Sequence, residues 1–571
     1  MKRKLICSLQ ENSEGIRGKR ASRISIIIVL LLSMIIGSSL GGCSCSQSGK
    51  TGSRGPSSGA VTLCIPSDIT GLDPAFCVDV DSGAIAALIH SGLVKFNDSG
   101  DLAGDLASSW TISPNGLDYT FQLDSSRSFS NGSPVTSEDV VHSLNRLADP
   151  STGSSRGWML QRVKGYDDLI NGRSERLAGI RSEMPGKLTI ILDKPFSPFL
   201  SMMATVNTYI IPKTWNKPKG QEIPPGAGPY TLTEWKRDDR LIFTPKSPSL
   251  NPVTIRIIPD PSTMVAEFRA GNLDLIKIPT SELSWFRKNR KNHTLSVPNL
   301  NVYYIGMNNR VEPFNRADIR QAANLAIDRK TIISTVLEGT GVISAGPVPP
   351  GLSTEMDTIE PLKHDPEKAR KLLRESGLPL PVKMELWQKT GNKDREAVQA
   401  IKGYLDEVGF DVTIVQADWS TLLEAANNGK APCFYMSWSA DYPDPENFLF
   451  PLFHSSNWGS NGNRACFSSP QVDQLLQNAV STTDRKVRLT LFSRAQKLIV
   501  ERAPWIFLWH RTDFYCFSDR MKPITPPSIY NAEKGEGYKF QTDKFTGKER
   551  GTEKTLPADK EIEATPDKKE K

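Results

Sequence analysis

Residues 434–448 read Phe434-Tyr-Met-Ser-Trp438-Ser-Ala-Asp441-Tyr-Pro-Asp444-Pro-Glu-Asn-Phe448. The first five residues have the apolar and aromatic character of a strand, and the Asp/Pro-rich stretch behind them turns the chain. Toward the N-terminus, helix and strand patterns alternate. Asp365 to Gly377 reads as a helix: Asp365 caps it, Pro366 suits its first position and Gly377 its end. Val382 to Trp387 reads as a strand, Glu396 to Val408 as a helix and Phe410 to Val415 as a strand. Toward the C-terminus, Ser469-Pro470 opens a helix and a second helix runs through Arg485 to Glu501. Trp505-Ile-Phe-Leu-Trp509 is then a strand leading into Arg511 to Phe517. Strands alternating with helices predict an α/β fold.

The first half of the chain has the same mixed character. Val61 to Ile65 is a short strand, Leu72-Asp-Pro74 turns the chain, and Ser82 to Leu93 has helical spacing. Residues 108–124 form two strands around a Pro-Asn-Gly turn, a hairpin signal. Thr136-Ser-Glu-Asp139 is a capping box that opens a helix. β-Rich runs follow at Leu188 to Leu192, Lys246 to Pro259 and Asp274 to Ile278. Val302 to Met307 is a strand that begins a second α/β half, and Arg316 to Leu337 reads as one helix. Residues 541–571 are predicted to be a disordered, charged tail.

A chain of 571 residues is long enough for several domains, and 38% hydrophobic with 23% charged residues is an ordinary globular composition. A mean hydropathy of −0.35 excludes a polytopic membrane protein. The net charge of +7 invites a nucleic-acid partner, but residues 1–42 hold +5 of it. The remaining +2 makes no basic stripe that would neutralise phosphates. Those first residues form a targeting device. A basic stretch precedes Ile24 to Ile36, an apolar run too short for a bilayer span of about 20 residues but suited to the core of a signal peptide. Leu40-Gly-Gly-Cys43 resembles a bacterial lipobox. The expectation is a signal peptide over 1–42, a lipidated Cys43 and a flexible Ser/Gly linker over 43–59. The other reading of the apolar run is an uncleaved anchor. Either places the bulk of the chain outside the cytoplasm, facing the periplasm or cell exterior.

Catalytic signals are missing. Gly37-Ser-Ser39-Leu-Gly41 matches a hydrolase elbow, yet it lies in the leader with no strand before it or helix after it. Gly49-Lys50-Thr51 lacks the glycine that a phosphate loop needs five residues earlier. The six histidines are scattered, and no CxxC or zinc spacing occurs. No enzyme, cofactor or protein-ligated metal is expected. Export permits disulfides among Cys45, Cys64, Cys77, Cys433, Cys466 and Cys516, with connectivity open.

Eight segments taken together resemble the family 5 extracellular solute-binding proteins, the receptors of peptide and nickel ABC importers. They are Leu72-Asp-Pro74, Gly104 to Trp110, Phe129 to Val140, Gly226-Ala-Gly-Pro-Tyr230, Asn308 to Phe314, Arg320 to Arg329, His364 to Leu373 and Trp438 to Phe448. Each alone is weak, but their order and spacing match over residues 60–530. The resemblance implies a two-lobed periplasmic-binding-protein-like α/β fold of the type II, cluster C style, closing across a hinge of crossing strands. Lobe I would comprise 60–298 plus 511–540, and lobe II 299–510. It implies a monomeric, lipid-anchored receptor that captures peptides in the interlobe cleft and delivers them to a cognate permease. The same fold serves receptors for nickel chelates or haem, and a surface lipoprotein with a sensing or interaction role.

The resemblance also implies site residues. Asp441 would receive the peptide ammonium, and Ser437, Trp438 and Ser439 would lie along the peptide and offer backbone groups. Val80 would pair with peptide backbone from the other lobe, and Trp438 and Trp458 would face the cleft as aromatic walls. Read from the residues alone, Asp441 has a second reading as a turn cap, and Asp444 before Pro445 is structural. The peptide carboxylate needs a cation from Lys389, Lys393 or Arg395, among which the sequence does not choose. His510 falls near the expected hinge as a packed strand residue.

Overall fold

The structure, a computed structural model, describes residues 60–97, 101–215, 223–350, 352, 356 and 359–521. The signal peptide, Cys43, the linker and the charged tail lie outside the described residues, as does the part of 511–540 beyond residue 521.

Three larger sheets carry the fold. Val61–Ile65, Val253–Ile257, Arg240–Pro245 and Tyr230–Lys236 form a four-stranded sheet in that spatial order. Ala107–Ile112, Asp118–Leu123, Lys187–Ile191 and Ile180–Met184 form an antiparallel one. The third has eight strands. Its main path runs Leu275–Lys277, Trp505–Phe517, Asn301–Met307, Cys433–Ser439, Val382–Lys389, Phe410–Ala417. Helices between consecutive strands, such as Arg395–Val408, supply the crossovers that parallel neighbours need. The expected α/β class is therefore met.

The 13-residue strand Trp505–Phe517 organises the third sheet. Its first half pairs with Asn301–Met307, from Gly306 opposite Trp505 to Tyr303 opposite Trp509. Its second half pairs with Thr294–Pro298 and Leu275–Lys277. Residues 505–510 are continuously buried, as expected of a strand covered on both faces. Trp505 stacks on Tyr304 with ring centroids 3.5 Å apart. Gly306 leaves room for its neighbour: a Cβ there would stand 2.4 Å from the buried Phe434 ring.

Two expected helices depart from their reading. The run Arg316 to Leu337 is interrupted: it is helical over Ala317–Ala326, extends at Ile327, and turns helical again over Arg329–Thr331 and Ile332–Val336. The cause is Arg329, 3% exposed, whose guanidinium is drawn inward to the carbonyls of Phe507 and Asn324 and to the Asn324 side chain. Burying a cation requires that its donors be satisfied, and a continuous helix would carry this one away from them. The Ser82 to Leu93 helix instead spans Val80–Ile89, with Asp79 accepting from the Ser82 amide at 2.8 Å. It stops at His90, whose buried ring donates from Nε2 to the Leu72 carbonyl at 2.9 Å. Cys64, Cys77, Cys433, Cys466 and Cys516 are all free thiols.

Candidate ligand-binding site

The long strand passes from one set of partners to the next at His510 and Arg511, beside Asn301 at the start of its neighbour. His510 Nδ1–H donates to the Asn301 carbonyl at 2.6 Å, and the Asn301 side-chain oxygen accepts from the Arg511 amide at 2.9 Å. Burial holds the His510 imidazole down at about 4, so it is neutral at pH 7. These bonds aim the Arg511 side chain at a cavity of about 440 Å³. Arg511 pairs there with Asp394 and donates to Thr340 Oγ1 at 2.9 Å. Asp394 also accepts from the buried Tyr435 hydroxyl at 2.8 Å. The guanidinium lies 5.5 Å from the centre of the Tyr303 ring. Lys393, Glu396 and Lys277, which is paired with Asp513, complete the charged lining.

Tyr303 and Asn301 line this cavity and pair across the sheet with Ser437 and Ser439. Both serines are exposed. Asp441 follows two residues on, roughly 7 Å along an extended chain. Asn447 braces that turn: its Oδ1 accepts from the Asp441 amide at 3.0 Å and from Trp438 Nε1 at 3.2 Å. The Asp441 carboxylate is thereby presented outward, where Arg156 Nη1 donates to it at 3.0 Å. Arg156 Nε is buried without a partner. Asp444 differs in kind. It is 4% exposed, paired with Arg488, and accepts from the Glu446 amide at 2.9 Å, which makes it a structural brace.

Val80 is the first residue of its helix rather than part of a strand, and its side chain is exposed. It lines a smaller cavity, about 180 Å³, that shares Lys277 with the larger one. Asp81 stands beside it, its carboxyl pushed up by burial and by Asp79, with Lys277 opposing. Trp438 packs partly against the core. Trp458 donates from Nε1 to the Phe467 carbonyl at 2.8 Å and carries the Arg310 guanidinium 5.0 Å over its ring. It lines neither of these cavities.

Of the three cations considered for a ligand carboxylate, Lys393 lines the cavity. Sequence reasoning passed over Arg511, Lys277, Asp394, Tyr435 and Arg156. One signal was present: His510-Arg-Thr-Asp513 interrupts an otherwise apolar and aromatic strand with four polar residues. Among the described residues, no three His, Cys, Asp or Glu side chains gather as metal ligands.

The family model described as bacterial extracellular solute-binding proteins, family 5 Middle, matches residues 101–460, and the chain belongs to that family. It is similar to the heme-binding protein A of Haemophilus influenzae, 29% identical over 517 residues that cover 85% of this chain and 93% of the relative. It is also similar to the glutathione-binding protein GsiB of Escherichia coli K12, 29% identical over 464 residues that cover 78% and 88%. Among solved structures, it resembles the unliganded open form of MppA, the murein tripeptide binding protein of Escherichia coli. The TM-score is 0.73 at 24% identity, over 83% of this chain and 95% of that one.

The fold is thus the two-lobed one of periplasmic binding proteins. The protein is a substrate-binding receptor of the ABC-importer family that handles peptides, nickel and haem, and not an enzyme. Such receptors work with an ABC permease outside the cytoplasm. No helix among the described residues is long and apolar enough to cross a membrane.

Proposed function

We propose that this receptor captures peptides with a free amino terminus and is held to the membrane by a lipidated Cys43. Lobe I is 60–298 plus 511–540 and lobe II is 299–510. On that division the contact between Arg156 and Asp441 runs between lobes, and this contact carries the reading. A carboxylate that an arginine of the opposite lobe neutralises is a seat a ligand ammonium can take over, since both are cationic donors. The peptide then lies along Ser437, Trp438 and Ser439 with main-chain hydrogen bonds, as an added strand. The amide of Val80, at the first position of its helix, is a free donor of the kind such a ligand uses. Trp458, exposed beside Arg310, offers an aromatic wall to side chains. Arg511, Lys277 and Lys393 supply the cations for a ligand carboxylate.

The names of two relatives support a peptide ligand, one for glutathione and one for a murein tripeptide. Mass spectrometry of molecules co-purified with the protein tests the reading. Short peptides with unmodified amino termini are expected. A nickel chelate or haem in their place rejects it, and a persistently empty cleft favours a sensing or interaction role. Replacing Cys43 by Ala should release the protein from membranes, and unchanged fractionation rejects the anchor.

A further inference from the structure

A different cavity, about 630 Å³, lies beside the hairpin of Val94–Phe96 and Leu102–Gly104 and the turn that leads into Tyr230–Lys236. It shares no lining residue with the cavity at Arg511. Its size is that of a small-molecule pocket. Three of its lining residues are cations, Lys95, Arg127 and Lys246, and one, Asp105, is an acid. Asp105 is shared: Arg127 Nη2 stands 3.1 Å and Lys95 Nζ 4.0 Å from the same carboxylate oxygen. Lys246 donates to the Gly226 carbonyl at 3.0 Å, which leaves its charge uncompensated. The lining therefore carries an excess of positive charge.

Two deeply buried side chains on the same lining have polar atoms without partners. Tyr230 is 2% exposed and its hydroxyl bonds to nothing. His90 is 1% exposed; its Nε2–H is spent on Leu72, and its Nδ1 acceptor is unused. An unmade hydrogen bond on a buried polar atom costs about 1–3 kcal/mol. Orphans of this kind on the wall of a cationic cavity mark polar groups that a ligand completes. Leu88, Phe96 and Leu250 provide an apolar side to the same space.

We propose that this cavity is a second ligand site, separate from the peptide cleft, for a small molecule that bears an oxyanion on an apolar or aromatic body. The oxyanion lies against Lys95, Lys246 and Arg127 with the Tyr230 hydroxyl donating to it. The body lies against Leu88, Phe96 and Leu250, and His90 Nδ1 accepts from a hydroxyl or N–H of the ligand. Burial pushes the Tyr230 phenol up to about 12 and the His90 ring down to about 4, which keeps one a donor and the other an acceptor at pH 7.

Calorimetric titration of the full chain in detergent with phenyl phosphate, with phenol as the uncharged control, tests this. Phenyl phosphate should bind and phenol should not. The double variant Lys95→Ala/Lys246→Ala should lose affinity about tenfold or more, as for charge-assisted hydrogen bonds. Tyr230→Phe should lose about threefold. Asp441→Asn, which alters only the cleft, should bind phenyl phosphate like the wild type. No heat at millimolar phenyl phosphate overturns the proposal. So does unchanged affinity in the double variant or in Tyr230→Phe, or weakened affinity in Asp441→Asn.

Discussion

The Asp441 carboxylate and the Arg156 guanidinium meet at 3.0 Å across 285 residues of chain, each side chain about one-quarter exposed. Ion pairs this accessible contribute about 0–1 kcal/mol. That is small enough for a ligand ammonium to displace the arginine, and large enough to orient the carboxylate beforehand. Arg156→Ala removes the competitor. Peptides with a free amino terminus should then bind up to about fivefold more tightly, the equivalent of about 1 kcal/mol. Calorimetry decides it, and weaker binding would make Arg156 a ligand contact instead of a stand-in.

The Arg511–Asp394 pair lies where the long strand changes partners, with side chains 19% and 10% exposed. Removing one member of a buried pair leaves the other uncompensated and costs about 3–5 kcal/mol. Asp394→Ala should lower the urea midpoint accordingly, whereas Tyr435→Phe should cost only about 1 kcal/mol for one hydrogen bond. Equal midpoints for Asp394→Ala and the wild type would show that the pair does not brace this part of the strand.

Glu446 sets a pH dependence. It is 3% exposed, and burial raises its carboxyl from 4.5 to about 7 despite the hydrogen bond from Tyr442. The folded state holds the proton more tightly than the unfolded one. The stability this contributes is fully present below pH 4.5 and is lost as pH rises through about 7. Glu446→Gln cannot ionise. Its stability relative to wild type should therefore rise by up to about 3 kcal/mol between pH 4.5 and 8. Denaturant melts of both proteins across that range measure it, and a difference independent of pH contradicts it. His90 and His510 act in the opposite sense, being held down at about 4, and cancel in the comparison.

What was legible in the sequence was local. The capping box forms as read, with Asp139 Oδ2 accepting from the Thr136 amide at 2.8 Å. Asp365, Pro366 and Gly377 bound their helix because capping and left-handed backbone depend on near neighbours. The break after Ala326 was hidden because its cause, the Phe507 carbonyl that holds Arg329, lies 178 residues away. The site divides the same way. Asp441 stood out through its turn and the resemblance of its segment to a family. Its partner Arg156, and the Arg511–Asp394 pair that spans 117 residues, are products of tertiary folding with no local pattern to announce them.

The central claim is that Asp441 receives the amino terminus of a peptide. Its most direct test is the affinity of one oligopeptide with a free and with an acetylated amino terminus, measured on wild type and on Asp441→Asn. The free peptide should bind wild type more tightly by about 2–5 kcal/mol, and Asp441→Asn should erase most of that difference. Equal affinity of the two peptides for the wild-type protein would contradict the claim.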